Sequence, residues 1–410
     1  MRKILKRDAV PSIFAWTRPT KQSSVDRAAR FSRRQHFTTT PHGQEEDVSE
    51  DCQLCDAICG KELSNDVNIV ACEIVVNNEE SSHTSDNAVA CSDSSRVETL
   101  VNSAGTQTVD CPPFDIDNFI SDPEGLHYYT GLENYSKLMY VLSTLGYAAY
   151  HLNYYKYQCE KLSVPNQFLL TLMKLRMHLP NFQLSRMFKI SESSVSNIFI
   201  TWINFMSKQW RELNIFPTRE MTSHFMPDDF KRCFPSTRII IDGMECQIKK
   251  PKNPVTQQAT FSYYKNMNTV KSVIGSTPGG LISYVSPAYG GSTSDRHIIE
   301  RSDLGQLCQP GDSIMADKGF SIQDLMAVHD VHVNIPTFLK KTNRFHPKVL
   351  NRDRKIASKR VHIERHIGLA KTFKILKQPM TPCETALASD IIFVCFALCN
   401  FRSCIIPCTA

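Results

Sequence analysis

The sequence predicts an α/β protein: a mixed sheet with helices packed beside it, preceded by an all-helical domain and, before that, an acidic disordered linker. Three observations lead there. From about Asn134 apolar residues recur at helical spacing, as in YSKLMYVLSTLGYAAYHL. After Phe234 the pattern changes to short β-branched runs such as TRIIIDG and VHVNIP, separated by helical stretches. Residues 20–125 hold neither period for long and are rich in Ser, Asn, Asp, Glu and Thr, a composition that cannot bury enough apolar surface to fold.

Charge sharpens this division. The chain of 410 residues has a formal charge of only +6. Between Gly43 and Leu126, however, lie nineteen of the 41 acidic residues and just two of the 47 basic ones, Lys61 and Arg96, so 45 basic residues face 22 acidic ones elsewhere. A folded part that basic points to a polyanion, most commonly nucleic acid. Fifteen cysteines without regular spacing exclude a small disulfide framework and favour a reducing compartment. The basic start MRKILKRDAVPSIFAW lacks the apolar run of a signal peptide, and IIFVCFALC near the end is too short to span a bilayer. A soluble, nuclear protein with no membrane contact is the expectation, and RAARFSRRQ (27–35) is a candidate import signal. Within the linker, Cys52, Cys55 and Cys59 lie close together, but no second ligand pair follows at metal-site spacing.

Helices follow. One begins near Asn134, and a second runs from about Asn166 to His178, just after Pro165. The stretch NFQLSRMFKISESSVSNIFITWINFM then has the grammar of a helix-turn-helix, in a domain set at 134–215. A short helix covers about Gln183 to Phe188, the turn passes through Lys189 and Ile190, and Ser191 caps the second helix by accepting from a free amide two or three residues on. Val195, Ile198, Phe199 and Trp202 form its apolar face. Ser193, Ser194 and Asn197 point elsewhere, and short polar side chains there suit a DNA major groove. An ordinary helical hairpin is the competing reading.

The second domain is set at 234–402. TRIIIDG is a strand that stops on Asp242; NTVKSVIGS and GLISYVSPA flank the turn signal TPGG as an antiparallel pair; SDRHIIERSDL is a helix; DSIMADKGF is a strand ending on Asp317; VHVNIP is another. A basic segment then leads to two final helices, the first carrying Glu364. Two carboxylates at strand ends are costly to bury without an opposing cation, and hard oxygen donors favour Mg²⁺ or Mn²⁺. Glu364 is the candidate third ligand, because Arg360, Gly368 and Lys371 share its helical face while Ile363, Ile367 and Ala370 build the apolar one. The simpler reading of Glu364 is a salt-bridge partner in a basic helix.

This order of elements is that of an RNase H-like nuclease core. From about Asn134 to the end the chain resembles the PIF/Harbinger-type DDE transposases and genes derived from them, on the motifs IIIDGME, YGGSTSDRHIIERSDL, IMADKGF and KRVHIERHIGLAKTFKIL. The resemblance implies that Asp242, Asp317 and Glu364 are the catalytic, metal-binding triad. Asp295, in GSTSDR, also matches a family motif and is a lower-ranked metal candidate; its other reading is an acid at a helix N-terminus. Glu245 is expected at the surface or behind the site. A Myb-like companion protein is implied by the resemblance alone, and a homo-oligomer is possible on sequence grounds. DAVPSIF (8–14) is similar to the tail of a THAP zinc domain; residues 1–19 would be its remnant, and without the upstream cysteines and histidine no functional zinc site is expected.

Double-stranded DNA is the expected partner. Lys249, Lys250 and Lys252 follow the first aspartate strand, and between Lys340 and Lys377 thirteen basic residues, Arg360 and Arg365 among them, face only Asp353 and Glu364. Tyr263, Tyr264 and His346 are candidates for stacking on unpaired bases. The reading with most support is a Mg²⁺-dependent DNA endonuclease or strand-transferase acting at transposon ends. Its competitors are a domesticated DNA-binding protein that no longer cuts and a metal-dependent RNase.

Overall fold

The structure, a computed structural model, describes residues 114–337, 346–404 and 406. The THAP-like remnant, the 27–35 basic cluster, the three clustered cysteines and the linker up to residue 113 lie outside these residues.

Order begins earlier than the composition predicts. A 3-10 turn at Ile116–Phe119 buries both its end residues, and helix α1 (Pro123–Thr130) follows. Two of the acids that make this stretch look like linker have structural work at its end: the Asp115 and Asp122 carboxylates accept from the amides of Asp117 and Gly125, and the Asn166 side chain accepts from the Ile116 amide while donating to Asp115. The predicted disordered boundary at 125 is therefore too late.

The helical segment continues with α2 (Tyr135–Ser143), α3 (Val164–Met177), α4 (Asn181–Met187) and α5 (Glu192–Arg211). Helix α3 is buried on all sides from Asn166 to Leu175, and its polar Gln167 is satisfied by accepting from Trp202 Nε1 at 3.0 Å. Two short helices, α6 (Arg219–His224) and α7 (Asp228–Cys233), lead to the sheet.

Strand β1 (Thr237–Gln247) is its axis. Helix α8 (Pro254–Thr260) precedes the short β2 (Phe261–Ser262), the long β3 (Met267–Ser276), β4 (Ile282–Val285) and β5 (Tyr289–Gly290). Then come α9 (Asp295–Glu300), α10 (Leu304–Leu307), β6 (Ser313–Met315), α11 (Gln323–Ala327) and β7 (His332–Asn334). The chain closes with α12 (Pro347–Ala370), α13 (Pro382–Ala386) and α14 (Ala388–Asn400). The main strand order is β2-β3-β1-β6-β7, with β4 and β5 also pairing β3. Strands β1 and β3 are antiparallel, while β1 with β6 and β6 with β7 are parallel.

Alternation along β1 separates two cores. Ile239 and Ile241 pack with Ile298, Ile299, Phe320 and Met326 on one face. Ile240, Met244 and Cys246 pack on the other with Ile363 and Ile367 of α12 and with α14, and this core continues without a break through α3 and α5 to Ile116. The helical segment and the sheet are thus welded together. Ser207 donates to Asp390 at 2.6 Å, and His178 meets Glu384 at 3.1 Å across the same seam. Helix α14 is the apolar run of the sequence, buried from Ile391 to Cys399; among the described residues no helix is long and apolar enough to cross a membrane.

Candidate active site and nucleic-acid interface

The parallel pairing of β1 with β6 ends at Ile240 opposite Met315. Asp242 and Asp317 each lie two residues further on, just past the end of that pairing. Asp242 does not end its strand, however. β1 runs on to Gln247 because β3 keeps pairing with it, Asp242 opposite Ile274 and Glu245 opposite Lys271. The site opens where β1 has lost β6 on one side and still holds β3 on the other.

Helix α12 supplies the third acid. Its buried stripe of Ile356, Ile363, Ile367 and Ala370 docks on the core face of the sheet, and Arg360 and Glu364 stand one turn apart at the edge of that stripe. The Arg360 guanidinium lies among all three carboxylates: Nη1 is 2.8 Å from Asp317, and Nη2 is 3.9 Å from Asp242 and 3.8 Å from Glu364. The structure therefore brings the three predicted acids together and gives them one shared cation. Glu364 does make a salt bridge, as its simpler reading required, but a weak one in a cluster of acids.

Burial raises the Asp242 carboxyl to about 6; the Arg360 charge and the hydrogen bond donated by the Gly243 amide oppose this, and the charges of Asp317 and Glu364 add to it. Its side chain is 22% exposed, against 48% for Asp317 and 54% for Glu364. The donor chemistry, three hard carboxylates with one net counter-charge, fits a divalent cation. Among the described residues no group of three or more His, Cys, Asp and Glu side chains is closed up as a metal site. The Arg360 guanidinium stands between the three acids instead.

Two sequence expectations need correction here. Arg360 is only 12% exposed and faces Asp242, Asp317 and Glu364, so it is a counter-ion of these acids and not a free contact for DNA phosphates. Asp295 sits beneath Gly243, whose absent side chain would come 3.0 Å from its Oδ1. Neighbouring residues in a strand face opposite ways, which puts Asp295 across the sheet from Asp242. There Lys271 pairs with both Asp295 and Glu245 at 3.5 Å, and Thr269 donates to Glu245 at 2.9 Å. This second cluster was not foreseen; a lysine directly opposite Glu245 in β3 would have announced it only once the register was known.

The remaining basic candidates, Lys249, Lys250, Lys252 and Arg365, are exposed. On the opposite side of α12, His362 and His366 are buried, and desolvation lowers both to about 4.

The helix-turn-helix forms as its sequence implies: α4, a turn with Lys189 in the left-handed region, and α5 capped by Ser191, whose hydroxyl accepts from the Ser194 amide at 3.1 Å. Val195, Ile198, Phe199 and Trp202 are buried. Ser193 is exposed and Ser194 half-buried, both within 3.2 Å of the Tyr157 hydroxyl, so Tyr157 shares the surface they present. Asn197 is a correction. It is 1% exposed and clamps the preceding loop, accepting from the Lys156 amide and donating to the Tyr157 carbonyl, which leaves it nothing to offer a groove.

Residues 241–400 match the family described as DDE superfamily endonuclease, and residues 160–211 match the helix-turn-helix of DDE superfamily endonuclease. No curated protein and no solved structure matches the chain.

Proposed function

We propose that this chain, which carries a DDE superfamily endonuclease domain and its helix-turn-helix, is a Mg²⁺- or Mn²⁺-dependent DNA endonuclease or strand-transferase with Asp242, Asp317 and Glu364 as its metal-binding catalytic triad. The observation that carries this reading is the convergence of three carboxylates from β1, the end of β6 and α12 on a single guanidinium. A merely structural arginine would need one acid; three acids around it leave an excess of negative charge that a divalent cation offsets. When bound, such a cation supplies an activated water or hydroxyl nucleophile and charge neutralisation at the phosphodiester.

The chain's own residues do the rest. Arg360 holds the acids in place at low cation concentration. Lys249, Lys250, Lys252 and Arg365 draw in the DNA backbone, a sequence-independent attraction that weakens with salt. Ser193 and Ser194 on α5, with Tyr157 beside them, present the face for duplex DNA. The sequence motifs support the PIF/Harbinger subtype, an RNase H-like core and action at transposon ends in the nucleus. A Myb-like companion and self-association belong to the same reading, with the resemblance as the support for the companion. The internal neutralisation by Arg360 favours one second reading, a DNA-binding protein that no longer cuts.

Cleavage of a labelled DNA duplex in Mg²⁺ or Mn²⁺ separates the two. The nuclease reading expects cutting by the native chain, and a loss of roughly a thousandfold or more in Asp242→Asn, Asp317→Asn and Glu364→Gln with DNA binding retained. Tight binding without cutting by the native chain favours the second reading. Full activity in Glu364→Gln removes that residue from the triad.

A further inference from the structure

Beyond the carboxylates, β1 leads to a second feature that no family model assigns. The turn between β2 and β3 carries Tyr263 and Tyr264, which are 84% and 85% exposed. Exposing two adjacent aromatic rings this far is unfavourable unless something covers them in use.

The turn is built to hold them out. Phe261 and Ser262 pair with Asn268 and Met267, Asn266 takes the left-handed conformation at φ 53°, and the Lys265 amide donates to the Ser262 hydroxyl at 3.3 Å. The Tyr263 ring meets Phe261 edge-on with centroids 5.4 Å apart, and Lys265 Nζ lies 4.9 Å from the Tyr264 ring centre. Each ring thus has one contact inside the turn and is otherwise open to solvent.

Beside the turn is a shallow, open recess of about 750 Å³. Its walls mix apolar surface from Ile248 and Phe261 with amide groups from Gln247, Gln257 and Asn266, and Lys249 and Lys250 stand at its border. Aromatic faces, amide donors and acceptors, and flanking cations are together the chemistry that takes up unpaired nucleobases on a phosphate backbone. A groove for intact duplex would need no protruding rings.

Resting on the nuclease reading, we propose that the Tyr263–Tyr264 turn and its recess are a subsite for unpaired bases of the DNA strand that enters the carboxylate site. Position supports this. Ile248, which lines the recess, follows Asp242 by six residues along the same extended backbone and shares its face with Met244 and Cys246, about 20 Å away.

The test uses the full chain in EDTA, so that cutting plays no part. Fluorescence anisotropy compares a labelled 20-nucleotide oligo(dT) with a blunt duplex for the native chain, Tyr263→Ala/Tyr264→Ala and Tyr263→Phe/Tyr264→Phe. The alanine pair is expected to lose about tenfold or more in affinity per ring for oligo(dT) and much less for duplex, and the phenylalanine pair to retain most of it. Unchanged oligo(dT) binding in the alanine pair overturns the subsite, as does an equal loss on both DNAs or a failure of phenylalanine to preserve binding. Failure of the nuclease reading shows separately, as absence of metal-dependent cutting by a chain whose alanine pair still loses oligo(dT).

Discussion

The paired stretch of β1 and β6 is flanked by a charged cluster on each side, and the two ends of that stretch are built on opposite principles. At the start of the strands one acid is surrounded by donors: Asp312, 2% exposed, has Arg219 at 2.8 Å, Arg238 at 3.6 Å and the Gln309 amide at 2.8 Å. Arg238 also donates to Thr222 and Pro217 and lies against the Phe216 ring. At the far end one arginine serves three acids, and Asp242 is raised to about 6 by burial. A closed cluster with cations in excess holds a fold together, whereas an open one with acids in excess costs stability, and on the proposed function that cost keeps a cation site ready.

The largest expected effect falls at the closed end. Asp312→Ala leaves two arginines facing an empty position and should cost about 3–5 kcal/mol, read as a lower denaturant midpoint at unchanged slope. A loss under about 1 kcal/mol would erase the contrast.

The open end should respond with the opposite sign. Asp242→Asn removes a buried charge while Asp317 and Glu364 keep Arg360 paired, and stability should rise by about 1–3 kcal/mol. The gain has a pH signature. Because the folded carboxyl titrates at about 6, above the 3.8 of the free side chain, the stability associated with its protonated form is present below 3.8 and is lost as pH rises through 6. The native chain and Asp242→Asn should therefore converge in stability near pH 4 and separate fully above pH 7. A constant difference across that range would contradict the assignment.

Glu384 extends the comparison to a third cluster of the closed kind. Burial pushes its carboxyl up, but hydrogen bonding from His178, the Lys174 charge and the Thr381 amide together bring it down to about 2. Its contribution is present above 4.5 and lost as pH falls towards 2. Glu384→Gln should thus lower stability at neutral pH and converge with the native chain only in strong acid, the smallest of these effects because glutamine keeps part of the hydrogen bonding.

How far the sequence foretold this depends on whether each signal was local. Ser191 followed by the period of Val195, Ile198, Phe199 and Trp202 specifies α5 within one stretch, and the apolar runs before the acids of IIIDG and IMADKG mark the two strands that lead to them. Distant partners were illegible. Asp242 looked like a strand end because the residues holding β1 onward, Lys271 and Thr269, belong to β3. Asn197 reads the same whether it meets a groove or a loop backbone. Arg360 looked like one more phosphate contact among many cations, since nothing in SKRVHIERH says that its guanidinium turns inward. Asp295 was placed by motif near the triad, and only alternation across Gly243 puts it on the other face.

The central claim is that Asp242, Asp317 and Glu364 form one divalent cation site behind the Arg360 latch. Titration of the full chain with Mn²⁺, with free ion followed by electron paramagnetic resonance, tests it without DNA or cleavage. Saturable binding by the native chain, weakened by roughly tenfold or more in each of Asp242→Asn, Asp317→Asn and Glu364→Gln, is the predicted result. Equal Mn²⁺ affinity in all four proteins would contradict it.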